Sequence, residues 1–452
     1  MNEWKKVKIG EFLTEREGRF KPDDKRISKY QRLDKIDFSG NIHLSNKPTK
    51  TDMILVQPGD LVISGINVAK GAITVYQGEE PVCATIHYSS YTFDSSKVDL
   101  DYFKFFVKSA AFIAAMQKQV KGGIKTEIKP KHLLALEISI PGLGTQKKIV
   151  KEISSQLEKT EQLSSEIEKQ QSYAKQLRQN ILQEAIEGKL TADWRKQHPV
   201  QKGNPDYDAE ALFDKIHREK TNRLNSKELK KGALPKAPRS NREKLILPHG
   251  WCWAKIDDLY FVTKLAGFEF TEYFHLSEKG DIPVVRAQNV RKRYLEKTNL
   301  LYIDSATSKQ LERSALTKQC LLVTFIGAGI GDVGLFDEPT RWHLAPNVAK
   351  VEPIAGCENY INNQLTNLFV LSEFGQSEIF KYMKATAQPS LSMESIRDID
   401  FPLPPLAEQK EIVARVEQHL QTITQLETQI ANRETTTKQL MQSILKDAFE
   451  EK

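Results

Sequence analysis

The chain has 452 residues, 39% hydrophobic and 28% charged, with a net charge of +7. That length exceeds one core and fits two or three domains, and the basic balance leans towards a polyanionic partner. The start, MNEWKKVKIGEF, holds no apolar secretory core and no apolar run is long enough to cross a membrane, so a cytoplasmic protein is expected. Cys83, Cys252, Cys320 and Cys357 lie far apart and form no metal-type pair; they read as reduced, buried thiols.

In chain order, residues 1–140 form a first module. It opens on Trp4–Phe12, continues with strand-like segments around Tyr30–Ile42 and Gly59–Gly71, and carries a helix over Asp101–Lys118. Residues 141–189 follow as one long helix, entered through Pro141. Residues 190–248 are polar and punctuated by Pro205, Pro235 and Pro238, which reads as a linker with a short helix. Residues 249–401 repeat the first plan: Trp251–Leu259, strands around Pro283–Leu295, a β-rich run with a glycine turn at Cys320–Gly331, and a helix over Tyr360–Ala385. Residues 402–452 form a second long helix.

The two long helices are copies at a constant offset of 263 (409 − 146): Gln146 matches Gln409, Ile149-Val150 match Ile412-Val413, Leu163 matches Leu426, and Leu177 matches Leu440. In the first, Ile149, Ile153, Gln156, Thr160, Leu163, Ile167, Gln170, Ala174, Leu177 and Ile181 are spaced alternately four and three apart. In the second, Ile412, Val416, His419, Ile423, Leu426, Ile430, Arg433, Thr437, Leu440 and Ile444 keep that spacing. This is the a/d seam of a coiled coil, held without Pro or Gly over roughly 60 Å at 1.5 Å per residue. The expected fold is α+β: two α/β modules separated by two long antiparallel coiled-coil helices, with a pseudo-twofold internal repeat. Val150, Leu157, Val413 and Leu420 widen the apolar stripe, which suggests further helices packing on it.

Signatures of catalysis do not hold together. Gly329-Ile-Gly331-Asp-Val-Gly334 fits GxGxxG, but the residues that follow look like a strand and turn, not the helix that a pyrophosphate needs. Asn204-Pro-Asp-Tyr207 reads as a turn. No GxxxxGK[ST] loop and no His/Cys cluster with metal spacing is present, so neither a catalytic nor a metal site is expected.

The loops carry basic and amide side chains instead. In the second module Arg286, Gln288, Asn289, Arg291, Lys292, Arg293 and Tyr294 combine readers of base edges with phosphate-neutralising charge. In the first, Lys29, Tyr30, Gln31 and Arg32 occupy the corresponding place, with Lys21, Lys25 and Arg26 just before. Asn67, Lys70, His87, Lys121 and Lys125 in the first module, and Arg341, His343, Asn347 and Gln388 in the second, complete the DNA-binding candidates. For any one of them a solvated basic loop is the plain alternative. A non-DNA adaptor with two binding modules is the rival reading of the whole chain, and an enzyme using the glycine loop a third.

The doubled pattern Ile138-x-Ile-Pro141-x-Leu143-x-x-Gln146-Lys-Lys-Ile149-Val150 and Phe401-Pro-Leu-Pro404-Pro-Leu406-Ala-Glu-Gln409-Lys-Glu-Ile412-Val413 resembles the signature of type I restriction–modification specificity subunits. So do Ile181–Leu190 and Leu247-Pro-x-Gly-Trp251. The resemblance covers essentially the whole chain. It implies two target-recognition domains that read a split, asymmetric site in double-stranded DNA, held apart by antiparallel helices. It implies no catalysis and no cofactor in this chain. Two methyltransferase subunits would bring S-adenosylmethionine, and restriction subunits would bring ATP and Mg. Ile149, Ile153, Leu163, Ile167, Leu177, Ile181, Ile412, Val416, Leu426, Ile430, Leu440 and Ile444 are the expected helix-packing and partner positions.

Overall fold

The duplication of the helices extends to the modules, whose two four-stranded sheets recur in the same strand order. The computed structural model describes all residues except 1–3, 38–39, 67–71, 110–111, 113, 116–129, 230, 236–239, 328, 384–389 and 450–452. The chain divides into two units: residues 1–170 with 429–452, and residues 171–428. Each long helix therefore gives one end to each unit.

In the first unit β1 (Lys5–Lys8) pairs antiparallel with β10 (Glu137–Ile140). One four-stranded sheet has the order β2-β9-β6-β7, from Leu13–Glu15, Tyr88–Phe93, Leu61–Ser64 and Ile73–Val75. The other has the order β4-β3-β8-β5, from Ile42–Ser45, Arg32–Ile36, Val82–Thr85 and Met53–Val56, with β3 and β8 parallel. β6 is buried at all four positions, as its unbroken Leu-Val-Ile run requires of an interior strand. It is entered through a tight turn in which Gly59 takes φ +85°. Asp60, buried at the end of that turn, accepts from Arg16 (2.7 Å), Ser90 Oγ (2.7 Å) and the Gln57 amide (2.8 Å), so its charge is paired.

Helix α1 (Leu100–Phe106) is capped by Asp99, which accepts from Tyr102 N (3.0 Å), and α2 spans Pro130–Leu134. The expected helix over 101–118 is interrupted by the turn at residues 107–109; residues 112, 114 and 115 are helical again, and residues 116–118 lie outside the described ones. Tyr102, Phe103, Phe106 and Phe112 form an aromatic core with Phe12 and Tyr91. Ile153 of α3 (Leu143–Ile186) enters it, as do Ile444 and Phe449 from the last helix. Phe449 packs edge-on against Tyr102 and Phe106, with centroids 5.3 and 5.4 Å away. Ile153 shares that core with Ile444 while Gln170 meets Arg433 at 3.4 Å, so the two helices run antiparallel in this unit.

In the second unit β11 (Cys252–Lys255) pairs with β22 (Asp400–Leu403). The sheets run β12-β21-β18-β19 and β16-β13-β20-β17, the orders of the first unit again. Their strands are Tyr260–Lys264, Val348–Pro353, Cys320–Thr324 and Val333–Phe336, then Leu301–Ile303, Ile282–Val285, Trp342–Leu344 and Ala315–Leu316. β13 and β20 are the parallel pair here. An additional hairpin, β14 (Val290–Arg291) with β15 (Tyr294–Leu295), is inserted between β13 and β16.

The described residues of the polar stretch 190–248 pack on the second module. Its helices α4 (Ala192–Gln197) and α5 (Ala209–Asn225) belong to the second unit. Lys220 binds Asp257 (2.9 Å) and Arg242 binds Asp400 (2.9 Å). Short helices α6 (Ile256–Leu259), α7 (Gly267–Tyr273) and α8 (Ser305–Gln310) lie between strands. The helix expected over 360–385 is two, α9 (Asn363–Leu371) and α10 (Glu373–Phe380). Ser372 breaks it, because its hydroxyl caps α10 by accepting from Gly375 N (3.0 Å). After α11 (Met393–Arg397) and β22 comes α12 (Leu406–Phe449).

The repeated glutamines have a physical reason. Gln146 is buried at the start of α3; it accepts from Asp99 N (2.7 Å) and donates to Pro141 O (2.7 Å). Gln409 does the same for α12 with Asn362 N (2.9 Å) and Pro404 O (3.1 Å). Each pins a long helix to the module before it.

The seam needs one correction. Ile153, Thr160, Ile167, Ala174 and Ile181 are buried at every seventh position of α3, and Val416, Ile423, Ile430 and Ile444 keep the same row on α12. The other row is open: Leu163, Leu177, Leu426 and Leu440 are 49%, 44%, 43% and 45% exposed, and Ile149 is half-buried. That row is open at its leucines only: Ile412 is buried, and Gln170 and Arg433 of the same row meet across the helices, so the four leucines bury less than the seam spacing predicts.

Candidate nucleic-acid interface

In the first module Lys29–Arg32 lead into β3 and face Ser45–Thr49, which leave its hairpin partner β4. Together they line a groove of about 360 Å³. Lys29, whose ammonium lies 4.9 Å from the Tyr30 ring, and Gln31 are exposed. Asn46 and Lys47, missed in the sequence, join them from the opposite wall. The β3–β4 pairing that brings them there could have flagged them, since they directly follow its second strand. Arg32 is mostly buried and pairs with Asp34 at 2.5 Å. Lys21 is paired with Asp52 (3.1 Å) and Arg26 with Asp24 (2.7 Å). Hydrogen bonds from the Arg26 side chain and amide lower the Asp24 carboxyl to about 2. Lys29 and Lys47 have no carboxylate partner among the described residues. His87 is exposed in the β8–β9 turn. Asn67, Lys70, Lys121 and Lys125, with Gln388 of the second module, lie outside the described residues.

In the second module Gln288, Lys292 and Tyr294 are exposed on and beside the inserted hairpin, and Asn347 is exposed before β21. Arg293 takes φ +81° at the hairpin turn and its guanidinium pairs with Glu417. Arg291 is half-buried over Val290 O (3.2 Å). Arg286 donates to Asn299 O, and Arg341 is clamped by Glu312 (2.6 Å) and Ser308 (2.8 Å). Arg341 hydrogen bonding, opposed by burial, holds the Glu312 carboxyl below its ordinary range.

Two candidates are corrected. Asn289 is buried and closes its own loop, donating to Glu296 O (3.0 Å) and Thr298 O (3.1 Å) and accepting from Arg286 N (3.2 Å). His343 is fully buried on β20, with its ring nitrogens 3.1 Å from Leu344 O and 3.2 Å from Leu311 O. Neither can reach a base. Burial lowers the His343 pKa although the two carbonyls favour a charged ring. The unfolded chain therefore takes up this proton first as pH falls, and the unit loses stability as pH drops below about 6.5. His343→Gln is expected to flatten the pH dependence of thermal unfolding between about pH 5 and 7; an unchanged slope would discount the residue.

The glycine loop has a packing role. A Cβ on Gly331 would come within 2.3 Å of the Phe380 ring, and one on Gly334 within 2.8 Å of Tyr294 O. Gly334 thus lets the inserted hairpin lie on β19, and a strand follows the loop as the sequence indicated. Among the described residues no group of three or more His, Cys, Asp or Glu could hold a metal, and no helix is long and apolar enough to cross a membrane. All four cysteines are free; Cys83, Cys320 and Cys357 are buried and Cys252 is half-buried. Burial raises Cys83 to about 11 and Cys252 to about 12.

The fold is that of a duplicated two-module protein built on a pair of long helices. Residues 1–170 and 248–433 match the Type I restriction modification DNA specificity domain, and the chain belongs to that family. It is 22% identical over 312 residues to the type I restriction enzyme EcoBI specificity subunit of Escherichia coli, covering 69% of this chain and 57% of that one. It is 24% identical over 351 residues to the EcoKI specificity subunit of Escherichia coli strain K12, covering 76% and 63%. The chain thus spans about three fifths of the length of these relatives. A chain from a solved type I R-M system aligns over 99% of this chain and 97% of its own, with TM-score 0.57 and 14% identity. The HsdS subunit from Thermoanaerobacter tengcongensis aligns over 99% and 96%, with TM-score 0.50 and 13% identity. Those two likenesses concern the fold alone.

Proposed function

We propose that this chain is the sequence-reading subunit of a type I restriction–modification complex. Each module reads one half of a bipartite, asymmetric site in double-stranded DNA. The observation that carries this is one topology built twice with different loops: a basic groove beside β3 in the first module, and an inserted hairpin bearing Lys292 and Tyr294 in the second. A shared scaffold with unlike readers suits an asymmetric target, because each half-site then meets its own set of side chains.

Catalysis belongs to partners in this reading. Two methyltransferase subunits supply adenine methylation with S-adenosylmethionine, and restriction subunits supply ATP- and Mg-dependent cleavage. The open leucine row supports two equivalent docking places. Leu163 and Leu440 share the register of the Gln170–Arg433 pair in one unit. Leu426 and Leu177 share that of the Glu427–Arg178 pair (2.9 Å) in the other. Exposed leucines in a row of that kind mark protein contacts.

A module swap tests the reading. Replacing residues 251–400 with the matching module of a relative is expected to change one half of the methylated motif and keep the other. A chimera that assembles and still methylates the original full motif overturns it. In filter binding, Gln288→Ala should cost about 1–3 kcal/mol at one base position. Lys29→Ala or Lys292→Ala should weaken all sequences alike and reduce the salt slope by about one. Binding with no salt dependence would point away from DNA.

A further inference from the structure

The second module carries an insertion that the first lacks. Residues 37–41 join β3 to β4, whereas residues 286–300 join the corresponding β13 to β16. The extra length holds the hairpin of β14 and β15, whose turn is Lys292-Arg293. Arg293 takes φ +81°, in the left-handed region that glycine adopts most readily. An arginine at such a position is strained, which points to a use for its side chain.

The hairpin is fixed at its base, along its length and at its tip. At the base the Asn289 side chain donates to Glu296 O and Thr298 O, and Glu296 N donates to Asn289 O (2.7 Å). Along its length Gly334 of β19 lets Tyr294 O and Arg291 O come close, where a Cβ would meet them at 2.8 and 3.1 Å. At the tip Arg293 N donates to Val333 O (3.0 Å), and the Arg293 guanidinium pairs with Glu417 of α12. A groove of about 520 Å³ lies between Arg293 and Ala414, Gln421 and Thr424 of that helix, so the ion pair crosses a gap. The repeat supports a dedicated contact. At the 263-residue offset Glu417 corresponds to Ser154 (417 − 263), so the carboxylate stands only on the helix that meets the insertion.

We propose that Glu417 is a positioning residue for DNA reading: it holds Arg293, and with it the hairpin that presents Lys292 and Tyr294, at a set place on the long helix. The two side chains of the pair are 32% and 46% exposed, so the pair adds little to folding stability. Its effect is on the freedom of the reader. A hairpin already held in place gives up less conformational freedom on meeting its half-site, which widens the gap between right and wrong bases. Arg293 serves the helix and not a phosphate in this account. Lys292 and Tyr294, exposed on either side of it, are left to meet DNA. The inference rests on the DNA-reading function proposed above.

The test uses the full chain assembled with its methyltransferase subunits, and duplexes altered one base pair at a time. Glu417→Gln should lower the affinity ratio of cognate to altered duplex about fivefold in the half-site read by the second module, the most that an exposed pair is worth. Ratios in the other half-site and the unfolding temperature should not change. Arg293→Gly, which relieves the left-handed backbone, should do the same to the ratios. The charge reversal Arg293→Glu with Glu417→Arg should restore the ratio, whereas a phosphate contact at Arg293 would be lost by it. An unchanged ratio in Glu417→Gln, tighter binding of all duplexes alike, or a reversed pair as loose as the single variants each overturns the proposal. Hydrogen exchange of the free full chain reads the brace without DNA. The amides of residues 291–295 should exchange about fivefold faster in Glu417→Gln. If the unaltered assembly binds all sequences equally, the functional reading fails and exchange alone judges the brace. Equal exchange in the two proteins then overturns the brace as well.

Discussion

Ile153→Ala is expected to destabilise the first unit by about 2–5 kcal/mol, whereas Leu163→Ala, ten residues along the same helix, should cost less than about 1 kcal/mol. Both positions belong to the same heptad seam by spacing, so spacing alone predicts equal effects. The structure separates them. Ile153 is 1% exposed and packs in the aromatic core with Ile444 and Phe449. Removing its three carbons leaves a cavity walled by groups that already pack on one another. Leu163 is 49% exposed in the isolated chain, so truncation removes little buried area. The order should reverse in assembly: Leu163→Ala, with its counterpart Leu426→Ala, should weaken methyltransferase binding while Ile153→Ala does so only through folding. Urea titration of the free chain, beside sedimentation of the complex, reads both. Equal unfolding midpoints for the two variants would sink the division into a buried and an open row.

Lys381→Met should be the most damaging single change in the second unit, costing about 3–5 kcal/mol at neutral pH. The ammonium bridges Glu378 (2.8 Å) and Asp398 (3.1 Å), both fully buried, with Asp400 3.9 Å away. Lys255 reaches Asp398 at 2.5 Å, Tyr382 Oη donates to it at 2.6 Å, and Arg242 holds Asp400 from the 190–248 segment. Burial pushes the Asp398 carboxyl up, but hydrogen bonds from Lys255, Tyr382 and Lys381 outweigh it and hold the group below its ordinary range. A carboxyl with a depressed folded pKa stabilises above its unfolded value near 4 and loses that contribution as pH falls through the folded value. The unaltered chain should therefore weaken in acid. The Met variant leaves Asp398 short of a cation, so its deficit should be largest near pH 7 and shrink as Asp398 takes up a proton. Thermal unfolding at pH 7 and pH 4.5 gives the comparison; a deficit independent of pH would mean that lost packing, and not lost charge, is responsible.

Composition and the repeat offset made the architecture legible because the matched residues do matched work. Gln146 and Gln409 pin their helices to the preceding module with the same pair of bonds, so the duplication survives in residue identity. Strand runs such as Leu61–Ser64 and Cys320–Thr324 were legible because an interior strand must be apolar on both faces. The absence of a helix after Gly334 was legible from local pattern, which argued correctly against a nucleotide loop.

What the chain could not disclose locally depends on which residues meet across long separations. Heptad spacing marks two rows on each helix, but which row faces the other helix is set by how the two pack. A basic or amide side chain looks the same in sequence whether it points to solvent or inward. Asn289 and His343 are buried because loop closure from Glu296 and Thr298, and the placing of β20 between β13 and β17, enclose them. The stretch 190–248 is polar, yet its described residues are held by part-buried ion pairs to Glu408, Asp257 and Asp400, partners as far as 213 residues away in the chain (408 − 195). Periodicity and repetition, which are local or self-referential, were thus determined by the sequence itself. Burial, pairing of charges and the choice of open surface were decided only by tertiary structure, since each depends on the desolvation that distant segments impose when they come together.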